Sequence, residues 1–348
     1  MALFAALADL PLSISSVSYD LHEAETSSDF TRLSTTISLD GDGETGRGED
    51  VTYEPDDHRE LVEAAPTFDL EGEWTFEEFS AHLADTDLFH GREPGRHDFR
   101  NYRQWGFESA ALDLALKQAD TPLAAQLGMA YQPVRFIISM RLPDASFDRI
   151  ERWLSIYDSY EFKLDPTDEW DDDLVTALAA TGAVRVCDLK GHYEGTIVDQ
   201  APDPDLYRRI IDGLPEAVIE DPALTDETRP LFAGHEGRVS WDATIHSLDD
   251  IKNLPWEPDW LNIKPSRFGS VESLLESIEY AQAAGMHLYG GGQFELDVGR
   301  EHIHALASLF YPDAANDVAP VEYNRPEPSA GLAKSPLTPT DAPRGFEW

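Results

Sequence analysis

Three short apolar runs each end in a carboxylate: Val184–Asp188 (VRVCD), Val218–Glu220 (VIE, then Asp221-Pro222) and Arg238–Asp242 (RVSWD). The acids stand 32 and 22 residues apart, about the length of a strand–helix unit. In an α/β barrel successive strand ends meet at one rim, where active sites sit. Three carboxylates gathered there repel one another, and a divalent cation among them relieves that repulsion. With no His or Cys in the set the donors are hard oxygens, which favour Mg²⁺ over Zn²⁺.

Lysine usage points to the same place. The chain has six lysines (Lys117, Lys163, Lys190, Lys252, Lys264 and Lys334) against twenty arginines. Where lysine has been thinned out, each survivor becomes a candidate for a specific task. Lys163, Lys190 and Lys264 all fall at the ends of expected strands, beside the carboxylates.

The rest of the composition bounds the setting. The 348 residues carry 67 acidic against 26 basic groups, a formal net charge of −41. Hydrophobic residues make up 41% of the chain, with 16 Phe and 8 Trp, enough for an ordinary core and too many for disorder. The expectation is a solvated acidic coat on a halophilic, cytoplasmic protein, whose self-repulsion is screened by salt. Nucleic acid and anionic membrane are disfavoured as partners by the same charge. Cys187 is the single cysteine, so there is no intrachain disulfide, and its apolar strand reads as buried packing. No apolar run reaches membrane-spanning length, and Met1–Leu12 lacks a basic flank.

Two domains and a tail are expected. Residues 1–130 read as an α+β unit, with strands at Ser13–Asp20 and Leu33–Leu39 and a turn at Asp40-Gly41-Asp42-Gly43. Helical periodicity follows at Asp56–Ala65, Thr75–Ala84 and Phe107–Gln126. Over 131–324 strands and helices alternate. The strands are Val134–Met140, Tyr160–Leu164, Val184–Cys187, Ala217–Ile219, Val239–Trp241, Trp260–Ile263 and Met286–Tyr289, with an eighth at Asp317–Val321. The helices are Asp171–Ala180, Asp205–Gly213, Leu248–Asn253, Val271–Ala284 and Arg300–Phe310. About eight such units close into a (β/α)7β-type TIM barrel, an open doubly wound sheet being the rival. The Pro-rich segment 325–348 is expected to run over the surface and dock elsewhere.

The three strand-end acids, Asn262-Ile263-Lys264-Pro265-Ser266-Arg267-Phe268-Gly269 and Gly290-Gly291-Gly292-Gln293-Phe294-Glu295 together resemble the enolase superfamily. The branch resembled is that of muconate-lactonizing enzymes and o-succinylbenzoate synthases. Gly46-Arg47-Gly48-Glu49 and the helix from Phe107 are similar to that family's capping domain. The resemblance implies proton abstraction next to a carboxylate, with Mg²⁺ meeting the charge of the enediolate. It further implies Asp188, Glu220 and Asp242 as metal ligands and Lys264, on the sixth strand, as acid/base. Lys163, on the second strand, would face it across the barrel.

Two positions depart from the family pattern. Asp165 stands where the second strand usually carries its catalytic lysine, and Lys190 stands where an Asn usually closes the third strand. Asp165 is therefore expected to pair with Lys163 and hold it as a clamp for the substrate carboxylate. Lys190, sharing the inward face of Asp188 if the strand stays extended, would supply the second lysine. Asp165, Arg267 and Glu295 are the candidate substrate-binding residues. A lysine among other cations should have its ammonium form disfavoured. The glycine run 290–292 reads as close backbone approach rather than a phosphate cradle. His302 and His304 read as surface or packing residues, and His287 sits at the wrong end of its strand. The loops around His22–Thr31 and Gly46–Asp57 are expected to select the substrate.

Three functions follow from this reading. The first is a Mg²⁺-dependent lyase or isomerase of a small carboxylate, in a chain whose homo-oligomeric state is open. The second is a degenerate barrel that binds a carboxylate ligand or metal without turnover, motivated by Asp165. The third, an acidic interaction protein, has only the charge behind it.

Overall fold

The computed structural model describes residues 2–26, 30–193, 195–196, 198–325 and 327–348. Residues 27–29, within the expected specificity loop, lie outside that set.

The N-terminal part is built on a three-stranded antiparallel sheet. β2 (Ser16–Glu25), β3 (Thr31–Gly41) and β4 (Glu44–Asp50) lie in that order, and the shorter β1 (Pro11–Ile14) pairs with β5 (Gly72–Thr75). Asp42 and Gly43 join β3 to β4 with positive φ at both positions (51° and 81°). That is the type I′ turn whose twist matches the flanking strands. Three helices follow: α1 (Pro55–Ala64), α2 (Phe76–Ala84) and α3 (Phe99–Gln118). α2 opens on a capping box between Thr75 and Glu78. α3 starts eight residues earlier than its periodicity suggests. It ends at Gln118 because Asp120 adopts φ 51° and Pro122 cannot continue a helix. β4 lies directly on α3, where a Cβ on Gly48 would come within 2.0 Å of the Gly106 carbonyl oxygen. Only glycine permits that approach.

Seven parallel strands follow in sequential order: β6 (Ile138–Arg141), β7 (Phe162–Asp165), β8 (Val184–Asp188), β9 (Val218–Glu220), β10 (Val239–Trp241), β11 (Trp260–Ile263) and β12 (His287–Gly290). Helices at Asp172–Thr181, Pro204–Gly213, Leu248–Lys252, Val271–Ala283 and Val298–Phe310 cover the outside. A further helix, Asp148–Ile156, escaped the sequence reading because its inner face holds few apolar side chains, Ile150 and Trp153 beside Arg149. The expected eighth strand shrinks to two bridges. Asn316 pairs with Phe136 and Asp317 with Gly291, closing the barrel between its first and last strands. Pro320 and the 3-10 turn Val321–Asn324 prevent a longer strand.

The C-terminal segment pairs Leu337 with Val134. It then buries Phe346, which lies edge-on to Trp105 of α3 and against the His302 ring (centroids 4.2 Å apart). His302 and His304 are both buried, so their role is packing and not surface exposure. His304 Nε2 lies 2.7 Å from the Val318 carbonyl oxygen. Among the described residues no helix is long and apolar enough to cross a membrane.

The sheet and barrel are joined at the loop after β12. Glu49 at the end of β4 accepts from the backbone N–H groups of Leu296 (2.6 Å), Asp297 (3.1 Å) and Gly299 (2.9 Å), at the start of helix Val298–Phe310. Its carboxylate thereby meets the positive end of that helix. Burial drives the Glu49 carboxyl above its ordinary range, and the Ser34 hydroxyl and these N–H groups draw it back.

Candidate active site

Register places the three acids. Asp188 stands opposite Glu220 across β8 and β9, and Glu220 opposite Ser240 across β9 and β10. Asp242 follows Ser240 by two residues and so projects to the same side. The three carboxylates offer oxygens that all lie within 4.8 Å of one another, and all three residues are fully buried. Asp221 pins this corner. Its carboxylate accepts from the N–H groups of Asp242 (2.9 Å) and Ala243 (2.8 Å). Burial, then the charges of Asp242 and Asp188, push the Asp221 carboxyl up to about 6.

The lysines distribute differently from the expectation. Lys163 does not pair with Asp165. Its ammonium contacts Glu220 Oε1 and lies 3.2 Å from Asp188 and 3.4 Å from Asp317. Three carboxylates, at the ends of β8 and β9 and at the closing seam, attract it more than Asp165 alone. Asp165 instead meets Lys190, 3.5 Å away. Nor does β8 stay extended to Lys190, which takes φ 52° beyond the strand end. Its side chain still turns inward and donates to Asp188. Lys264, one residue past β11, lies 2.8 Å from Asp242 Oδ2.

Charge follows geometry. Burial opposes ionisation of Asp188, yet Lys190 and Lys163 hold its carboxyl well below the usual range. Arg267 and Lys264 overcome burial at Asp242 in the same way. Between them, burial lifts Glu220 well above its range; Lys163 draws it down, while Asp188 and Asp242 push it up. Burial disfavours the ammonium forms of Lys163 and Lys190, but the surrounding carboxylates drive both upward. Glu220 is thus the one triad member whose ionisation its surroundings oppose overall. Three buried hard-oxygen donors so placed fit a divalent cation such as Mg²⁺.

Two candidate substrate-binding residues prove to be engaged within the protein. Arg267 donates to Asp242 through Nε (2.9 Å) and Nη2 (3.3 Å), and to the hydroxyls of Tyr102 (3.2 Å) and Tyr193 (3.1 Å). Glu295 accepts from the Gln293 N–H (2.7 Å) and lies 3.2 Å from Arg300. Gly291 owes its identity to the site: a Cβ there would lie 2.5 Å from Asn262 Oδ1 and 2.9 Å from Lys264 Cε.

Sequence reasoning missed several neighbours. Tyr193 donates to Asp242 at 2.9 Å, Tyr289 donates to Glu220, and Asn262 Nδ2 lies 3.2 Å from both Glu220 oxygens. From the N-terminal part, Tyr102 also accepts from Gln293 Nε2 (3.2 Å), and Tyr53 donates to Gln293 Oε1 (2.9 Å). Arg32 stacks 4.3 Å over the Tyr53 ring. The expected specificity region around Gly46–Asp57 thus reaches the loop that follows β12. The other one, around His22–Thr31, is largely strand in its described part, since β2 runs to Glu25 and β3 begins at Thr31.

Comparison with known proteins places this geometry in context. A family model described as the Domain of unknown function (DUF8230) C-terminal domain matches residues 130–325, and its N-terminal counterpart matches residues 5–126. An o-succinylbenzoate synthase of Bacillus subtilis (strain 168) is 26% identical over 214 residues, 59% of this chain; the match spans about half (55%) of that protein's length. A second, from Geobacillus stearothermophilus, is 25% identical over 294 residues, covering 78% of this chain and 72% of that protein. Among solved structures, a member of the enolase superfamily from Enterococcus faecalis V583 superposes with a TM-score of 0.66 at 18% identity, over 97% of this chain and 94% of its own.

Proposed function

Because this chain belongs to the DUF8230 family and has the enolase-superfamily fold, we propose that it is a Mg²⁺-dependent lyase or isomerase of a small carboxylate. One observation carries the reading. The buried triad has a lysine against each end, Lys190 at Asp188 and Lys264 at Asp242.

Asp188, Glu220 and Asp242 would hold the cation. A bound Mg²⁺ supplies fixed positive charge to meet the charge that develops on the substrate carboxylate. Lys264 Nζ removes the proton from the carbon beside that carboxylate, and the electron pair moves into the carboxylate as an enediolate. Arg267 keeps Asp242 ionised and oriented beside it, so Lys264 has its partner at a set position. Lys190 Nζ, held by Asp188 and Asp165, serves as the opposed group that donates a proton, to the substrate carbon in an isomerisation or to the departing hydroxide, which leaves as water, in an elimination. Lys163 is an internal counterion, which Asp317 would also partner with a cation bound at Asp188 and Glu220.

The o-succinylbenzoate synthase relatives support an elimination as the first reaction to test. Binding without turnover remains the second reading, favoured by Asp165 in place of a strand-two lysine; the inward position of Lys190 weighs against it. Incubation of a panel of carboxylates in deuterated buffer with Mg²⁺ separates the two. Deuterium appearing at the α-carbon supports the enzyme, and binding with no exchange across the panel supports the degenerate barrel.

A further inference from the structure

Tyr289 takes no part in the chemistry above, yet it is the side chain most deeply committed to Glu220. It lies on β12, three strands round the barrel from β9. Its ring is buried with Ile137 and Val186 in an apolar cluster inside the barrel, separate from the main core. Trp260 meets it edge-on, with centroids 6.4 Å apart. A ring enclosed on these sides cannot swing, so packing sets the direction of its hydroxyl.

That hydroxyl donates to Glu220 Oε2 and lies 2.8 Å from the Ser240 hydroxyl. Ser240 and Asn262 are fully buried, and Asn262 Nδ2 adds its contacts to the same carboxylate. The outer members of the triad are oriented by charged groups, Lys190 and Lys163 at Asp188 and Arg267 and Lys264 at Asp242. Glu220 alone of the three is oriented by neutral groups standing on barrel strands, in addition to Lys163.

We infer that Tyr289 is a positioning residue that, by engaging Glu220 Oε2, fixes the plane of that carboxylate and so makes the centre select Mg²⁺ over Ca²⁺. The physical reason is the different demand of the two ions. Mg²⁺ requires near-ideal octahedral ligation at short distance, whereas Ca²⁺ accepts irregular shells and two-oxygen carboxylate ligation. A carboxylate whose plane is fixed suits the first ion. One that is free to rotate and offer both oxygens suits the second. Partners behind metal ligands are typically worth about 10–100-fold in affinity.

The inference rests on the reading of the triad as a cation centre, and calorimetry with Mg²⁺ and Ca²⁺ chlorides on the whole chain tests it. Tyr289→Phe keeps the packed ring and removes only the hydroxyl. It should weaken Mg²⁺ binding by about 10–100-fold and leave Ca²⁺ binding less affected, so that the Mg²⁺/Ca²⁺ affinity ratio falls by at least about tenfold. Ser240→Ala, which removes the second partner of the hydroxyl, should lower the ratio in the same direction by a few-fold, and it carries the test if the first variant does not fold. An unchanged ratio in the folded variants overturns the inference while the metal reading stands. A wild-type chain that binds neither cation overturns both.

Discussion

The two ends of the triad are held by different chemistry. Asp242 is gripped by a guanidinium fork that is itself fixed by Tyr193 and by Tyr102 from the N-terminal part. Asp188 is held by two lysines, point charges on flexible stems, one of them shared with Asp165. Arginine gives planar, oriented contacts where lysine gives an adjustable one. The Asp242 end is therefore the rigid anchor and the Asp188 end the adaptable one. Glu220, between them, is the carboxyl whose ionisation burial and its two acidic neighbours oppose.

Breaking the anchored end should have the larger consequence. Lys264→Ala is expected to abolish α-proton exchange, a loss of about 10²–10⁴-fold, as for removal of a general base. Mass spectrometry of deuterium wash-in reads this directly, and exchange within threefold of wild type would remove Lys264 from its role. At the adaptable end Lys190→Ala should cost more than about tenfold, roughly 1.4 kcal/mol of transition-state stabilisation. A larger loss at Lys190 than at Lys264 would invert the comparison.

A second buried carboxyl sharpens the account of Glu220. Glu108 on α3 accepts from Ser80 Oγ (2.5 Å) and the Val271 N–H (3.4 Å), and among the described residues it forms no ion pair. Burial pushes its carboxyl up to about 7 from 4.5. A folded-state value above the unfolded one means that its contribution to stability is complete below pH 4.5 and is lost as pH rises through 7. Glu108→Gln should therefore flatten the decline of melting temperature between pH 5 and pH 8, by on the order of 3 kcal/mol for a shift of this size. An undiminished decline would show that burial at this depth does not raise a carboxyl as argued, here or at Glu220.

The smallest expected effect concerns the acids outside the site. With a net charge of −41, the melting temperature should rise steadily from about 0.1 M salt toward molar levels, as the ~10 Å screening length shortens. A flat profile would place the charge in one interaction patch.

The parts of the molecule legible in sequence were those with a local signature. Strand ends carrying Asp188, Glu220 and Asp242 stand out because an apolar run stops at an acid, and the β3–β4 turn because Asp-Gly dictates its type. The helix Asp148–Ile156 hid behind a sparse apolar face, and the eighth strand shrank to bridges beside Pro320. Partner choice was harder. Whether Lys163 turns to Asp165 or to Glu220 depends on which acids the closing seam brings near, and Asp317 supplies one from 154 positions away in the chain. Tyr193 and Tyr289 carry no motif of their own. Their roles appear only when β8, β10 and β12 curl round one axis.

The central claim is that Asp188, Glu220 and Asp242 together receive a divalent cation, with Glu220 at their centre. Calorimetric titration of Mg²⁺ into the wild-type chain and into Glu220→Gln tests it most directly. The account predicts one site per chain in the wild type and a loss of at least about 100-fold in the variant, which should stay folded because the ligand stands at a strand end. Mg²⁺ binding of equal strength in both would contradict it.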